Sequence, residues 1–331
     1  MKRVDLENHF YDGSLVRALE HRTAPPYYRA QSDIITWSDA VRMPQGKLLP
    51  LLLEVGESRL ALMERLGIDT AVISSSPGPE QLDTAESLEV CRKSNEALYR
   101  LTRAYPGRYL GSAILPVGDV PAAMDELTRC VQEYGFVAWH THSNYGATAP
   151  DDPRYRPLFR RAAELGVYVY LHPQLPDLPR ACDRGFSVAG PGLGFTLDTI
   201  TTLTRLVITG LFDEVPELNL VMGHLGEALP FLLDRMDNRL KFIPNPSLEN
   251  QRAFSSYFKT NIYVTTSGNM SPAAFACAKQ VLGIERILFG SDYPFEEAGD
   301  MVAFVDELPL GRRERELLYV RNAREQLKLP V

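Results

Sequence analysis

The chain of 331 residues holds only six histidines, and three of them, His142, His172 and His224, close short apolar runs. Asp292 closes another such run, Leu288-Phe289-Gly290-Ser291-Asp292. Near the start, Glu7 and His9 stand two residues apart in an apolar stretch. The two-residue period of a strand then points both side chains to the same face, as two ligands from one strand must. A lone histidine at a strand end is most often a hydrogen-bonded core residue. Glu7, His9, His172, His224 and Asp292 converging on one rim instead predict a metal site. Two imidazoles and two carboxylates from such a set suit Zn, Mn or Fe, and they leave a position open for water or substrate.

Something must bring these groups together, and the rest of the pattern says what. Short β-branched or apolar runs recur at 3–10, 70–75, 109–115, 136–142, 167–172, 219–224, 261–267 and 286–292. Between them lie helical periodicities at 85–104, 121–134, 155–165, 197–212, 230–240 and 272–282, with a closing one at 312–327. Strands alternating with helices predict a parallel sheet with helical crossovers. Gly135, Gly166 and Gly283 stand where helices should stop before the next strand, the usual place for a C-terminal glycine cap. Eight strands with crossovers close naturally into an α/β fold of the (β/α)8 TIM barrel type. No GxGxxG follows the first run, as a dinucleotide-binding open sheet would need. Active sites of such barrels gather at the C-terminal ends of the strands, where the metal-ligating candidates fall. The one irregular spacing is an insertion at about 11–69 after the first strand, with a Pro/Tyr-rich piece at 24–29 and a helical pattern at 51–66. Such an insertion is expected to act as a lid or pocket wall, leaving 1–331 as a single domain.

Composition narrows the partners. A formal charge of -7 with no Lys/Arg-rich stripe disfavours nucleic acid. The run Arg312-Arg313-Glu314-Arg315 reads as a solvated helix face. No apolar run approaches the ~20 residues of a membrane helix. Four scattered cysteines (Cys91, Cys130, Cys182, Cys277) without CxxC spacing suggest reduced thiols in a cytoplasmic protein, and no leader peptide is expected ahead of the first motif.

The opening Glu-x-His, Tyr170-Leu171-His172-Pro173, Gly223-His224-Leu225-Gly226-Glu227 and Phe289 to Glu296 resemble the amidohydrolase superfamily, in its branch of non-oxidative aromatic decarboxylases acting on benzoate-type acids. Ser76-Pro77-Gly78-Pro79 and Thr265-Thr266-Ser267-Gly268-Asn269 add to the resemblance, which runs from Val4 to the terminal helix. It implies that Glu7, His9, His172 and Asp292 hold one divalent ion, Zn or Mn, and that His224 and Glu227 form a pair beside the substrate. It also implies that Arg235 helps bind a carboxylate, that Phe295 packs on the substrate ring, and that the protein is a homodimer or homotetramer. The fourth run, Phe136-Val137-Ala138-Trp139-His140-Thr141-His142, has no lysine to bridge two metals. It departs from the branch by placing His142 where benzoate-type members carry Asn. His140 and His142 are therefore expected to line the pocket, with a second ion as the lesser alternative.

The implied substrate is a small aromatic carboxylate. Losing CO2 from an arene requires protonating the ring carbon, because an aryl carbanion is too unstable. Asp292, its pKa raised by desolvation and a neighbouring anion, is the natural acid. The competing expectation is a mononuclear hydrolase of a lactone or amide, with Asp292 as base, or a hydratase on the same scaffold.

Overall fold

The computed structural model describes residues 1–76, 78–176, 179–242 and 247–331; Pro77 of the Ser-Pro-Gly-Pro segment lies outside them. Eight parallel strands follow one another in sequence order: β1 Val4–Phe10, β2 Thr70–Ser75, β3 Tyr109–Ala113, β4 Ala138–His142, β5 Tyr168–His172, β6 Leu220–Met222, β7 Ile262–Thr265 and β8 Ile287–Leu288. The sheet closes on itself. Leu6 N donates to Phe289 O at 2.9 Å, Asp292 N to Glu7 O at 3.0 Å and His9 N to Tyr293 O at 2.8 Å, joining the last strand to the first. The chain folds as a (β/α)8 TIM barrel. Its strands are buried almost throughout, because helices cover the outside and side chains fill the inside. Val4, Val72, Ala138, Tyr168, Val221 and Leu288 pack in the interior, and Leu327 and Leu329 from the C-terminal segment join that cluster.

Several strands are shorter than the apolar runs suggest. The runs at 219–224 and 286–292 yield only three and two strand residues, and beyond the strand ends His224 and Asp292 adopt φ of 57° and 61°. Non-glycine residues in that left-handed region carry strain that the surrounding structure must over-determine, and such positions cluster at functional sites. Gly135, Gly166 and Gly283 all have positive φ, as the cap reading expected. The helical pattern at 51–66 is broken into Leu48–Leu53 and Glu57–Leu66. Glu54 makes the break: its carboxylate accepts Gly56 N and Arg59 N, each at 2.9 Å, and so starts a new helix.

The insertion contains the helix Gly13–His21, started by the Asp12 side chain accepting Ser14 N, and a small antiparallel sheet of Tyr27–Arg29, Ile34–Thr36 and Arg42–Pro44. Neither was evident from periodicity, since three-residue strands are too short to show alternation. Tyr11, Leu15, Leu19, Tyr28, Ile35 and Leu52 give the insertion its own apolar cluster over the barrel mouth. Among the described residues, no helix is long and apolar enough to cross a membrane.

Candidate functional site

Strand β1 delivers Glu7 and His9, strand β5 delivers His172 from its last position, and the turn after β8 delivers Asp292. Ligand atoms of these four buried residues all lie within 4.8 Å of one another. His9 Nε2 is 3.0 Å from Asp292 Oδ1, and His172 Nε2 is 3.9 Å from Glu7 Oε1. Thr265 Oγ1 donates to Glu7 Oε2 at 3.0 Å, while Glu7 Oε1 is buried without a hydrogen-bond partner. A buried carboxylate oxygen left bare is costly unless something positive meets it. The four residues thus fit a divalent cation.

The electrostatics agree. Burial, and after it the charge of Asp292, push the Glu7 carboxyl up. Burial works to raise Asp292 as well, but the imidazoles of His224 and His9 outweigh it and hold that carboxyl below the usual range. Burial, followed by the neighbouring His9 and His142, keeps His172 well below the ordinary histidine value, leaving it neutral as a ligand must be.

His224 stands beside this cluster, with Nε2 3.8 Å from Asp292 Oδ2 and Nδ1 2.8 Å from Glu227 Oε1. Glu227 is held in turn by Thr196 Oγ1 at 2.6 Å. Burial alone would lower His224, but Glu227 and Asp292 reverse this and keep it well above the ordinary value. Gly268, at φ 61°, lies where a Cβ would come within 2.5 Å of His224 Cδ2, so only glycine lets that ring approach.

A cavity of about 390 Å³ opens onto His172, His224 and Asp292. Phe295 lies on its wall, with its ring centroid 5.1 Å from that of His9. Much of the remaining wall comes from the insertion, including Tyr11, Ile35, Trp37, Met43, Leu48 and Leu52. Trp37, Gln174, Phe186 and Phe195 also line it and were not singled out from sequence; nothing in their spacing marks them, because they meet only through tertiary packing.

Three expected contacts are not made. Arg235 is exposed on the helix Leu229–Leu240 and is absent from the cavity wall. His140 and His142 are buried behind His172 and do not line the cavity either. The strand register explains this: His142 pairs with His172, and His140 pairs one layer deeper with Tyr170, on which it stacks at 5.3 Å. Instead, His140, His142 and His172 form a second group whose ring nitrogens lie within 4.8 Å of one another.

Residues 57–329 match the family Amidohydro_2, described as amidohydrolase. A γ-resorcylate decarboxylase of a Rhizobium species is 35% identical over 289 residues, covering 84% of this chain and 88% of that protein. The crystal structure of a 2,6-dihydroxybenzoate decarboxylase from Rhizobium superposes with a TM-score of 0.87 at 31% identity over 100% of both chains. A dihydroxybenzoic acid decarboxylase from Polaromonas, solved with manganese and the inhibitor 2-nitroresorcinol, gives a TM-score of 0.86 at 30% identity, covering 100% of this chain and 98% of that one. The conserved barrel, the match over most of its length and this level of identity place the chain in the amidohydrolase family.

Proposed function

We propose that the protein is a metal-dependent, non-oxidative decarboxylase of a hydroxylated aromatic carboxylic acid, using one divalent ion, Zn or Mn, held by Glu7, His9, His172 and Asp292. The observation that carries this reading is the double position of Asp292, which belongs to the ligand cluster and also lines a largely apolar cavity of ring-sized dimensions. The named activities and ligands of the relatives agree with it.

A divalent ion held by Glu7, His9, His172 and Asp292 would supply Lewis acidity that favours the phenolate-like form of the ring. Phe295 packs against that ring and fixes its plane. His224, held cationic by Glu227, lends Asp292 a proton. Asp292 delivers it to the ring carbon bearing the carboxylate, and a C–H bond forms. The C–C bond then breaks, its electron pair returns to the ring, CO2 departs and Asp292 is left as the carboxylate. Residues 1–331 act as one barrel in this reading, with the insertion closing part of the cavity. A homodimer or homotetramer belongs to it too, and Phe231 and Phe242, 81% and 73% exposed near Arg235, are surface that a second copy would cover.

Elemental analysis of the purified protein, followed by a CO2-release screen over hydroxybenzoates with Mn and Zn supplied, tests the proposal. One metal per chain with CO2 release is the expected result. One metal without release from any member would favour the hydrolase or hydratase alternative, in which Asp292 serves as base.

A further inference from the structure

His172 Nδ1 lies 2.7 Å from the carbonyl oxygen of Pro173. A carbonyl oxygen only accepts, so Nδ1 carries the proton and Nε2 keeps its lone pair toward the ligand cluster. Ser76 Oγ is 3.3 Å from the same Nδ1 and 2.9 Å from His142 Nε2. Because Nδ1–H donates, Ser76 gives its own hydrogen to His142 Nε2. His142 then carries its proton on Nδ1 and donates to Glu80 Oε1 at 2.6 Å. This assignment gives the Ser76 hydroxyl and both ring nitrogens of His142 a partner, as the interior favours. Gly78 makes room for the arrangement: a Cβ there would sit 1.8 Å from Glu80 Oε2 and 3.0 Å from His142 Cε1.

Two other uses of these groups fail on geometry. A hydroxyl, an imidazole and a carboxylate in this order are the parts of an activated nucleophile. Yet Ser76, His142 and Glu80 are all buried and none lines the cavity, so no acyl group reaches Ser76. A second ion among His140, His142 and His172 would need free ring nitrogens. Both nitrogens of His142 are already engaged, and the Nε2 of His172 faces Glu7.

We propose that Glu80, His142 and Ser76 are positioning residues for the metal ligand His172. The Pro173 carbonyl sets the tautomer of that imidazole, and the relay holds its orientation, while the buried carboxylate end makes the Nε2 lone pair a stronger ligand. This inference rests on the metal reading above and explains why a histidine replaces the asparagine expected at position 142.

The test is titration of chelator-stripped protein with Mn(II), reading free Mn(II) by electron paramagnetic resonance, with circular dichroism to establish folding. The wild type should bind one Mn(II) per chain, and Ser76→Ala should bind it about 10- to 100-fold more weakly. Ser76→Thr, which keeps the hydroxyl, should return affinity to within about threefold of wild type, whereas equal losses in both variants would assign the effect to packing and overturn the relay. Wild-type affinity in folded Ser76→Ala would also overturn it. Should Ser76→Ala not fold, Glu80→Gln decides on the same readout: about a tenfold loss supports the relay, and unchanged affinity removes it. A wild type that binds no Mn(II) would instead defeat the metal reading itself.

Discussion

In the proposed reaction Asp292 serves in two capacities, as a ligand and as the donor of the proton that reaches the ring. Replacing it by Asn separates them, since an amide oxygen still coordinates but has no acidic proton to deliver. Asp292→Asn should therefore retain part of its metal affinity while the rate falls by about a thousandfold or more, measured as CO2 release beside metal content. Full turnover in that variant would remove Asp292 from the proton transfer. His224 differs, because it stands beside the ligand cluster, 3.8 Å from Asp292, with its Nδ1 turned toward Glu227. In His224→Ala the metal content should stay near wild type and the rate should drop by roughly a hundredfold; a metal-free variant would make His224 a ligand.

The strand that carries Glu7 and His9 is held from behind by one side chain of the following helix. Arg59, 1% exposed on Glu57–Leu66, donates to His9 O at 2.6 Å, to Asn8 Oδ1 at 3.0 Å and to Leu51 O. Burial is the main influence on its guanidinium and lowers its pKa, so the charge is tolerated there through these acceptors. The brace ties β1, the insertion helix Leu48–Leu53 and the crossover helix together at the point where the pairing of β1 with β2 shifts register. Arg59→Ala should cost about 2–4 kcal/mol in urea unfolding, through lost packing and carbonyl groups left without donors. An unchanged midpoint would show that β1 does not depend on this contact.

At the scale of the whole molecule, ionisable side chains buried in the barrel beneath the site tie stability to pH. His140 is fully buried, and burial first, then the electrostatic influence of the neighbouring His172 and His142 rings, hold its folded pKa well below 6.5. The unfolded chain takes up a proton on this ring near the ordinary value while the folded chain does not. Stability from His140 is thus intact above about pH 6.5 and is lost as the pH falls below it. Glu7 and Asp5, whose folded values are raised, act in the opposite sense, so the His140 contribution must be isolated by difference. Metal-free His140→Phe should lose less of its thermal midpoint between pH 7 and pH 5 than the wild type. Parallel curves would mean that the ring titrates in the folded protein as it does in the unfolded chain.

Residue type and spacing alone determined the barrel and which polar side chains stand at its rim. Alternating apolar runs and helical periods are local properties of the chain, and a parallel sheet brings every strand end to one rim, so Glu7, His9, His172, His224 and Asp292 could be read together as candidates, while the choice of four ligands among them came from the resemblance. The cap glycines were legible for the same local reason. Tertiary structure decided the rest. His142 and Glu80 are 62 residues apart and meet only because strand register sets His142 beside His172 while the turn after β2 folds Glu80 inward. The cavity wall joins the insertion to the β5 and β8 loops, contacts that no periodicity encodes. Arg235 is outward-facing because side-chain direction depends on how its helix packs, and a motif match carries residue identity without that direction.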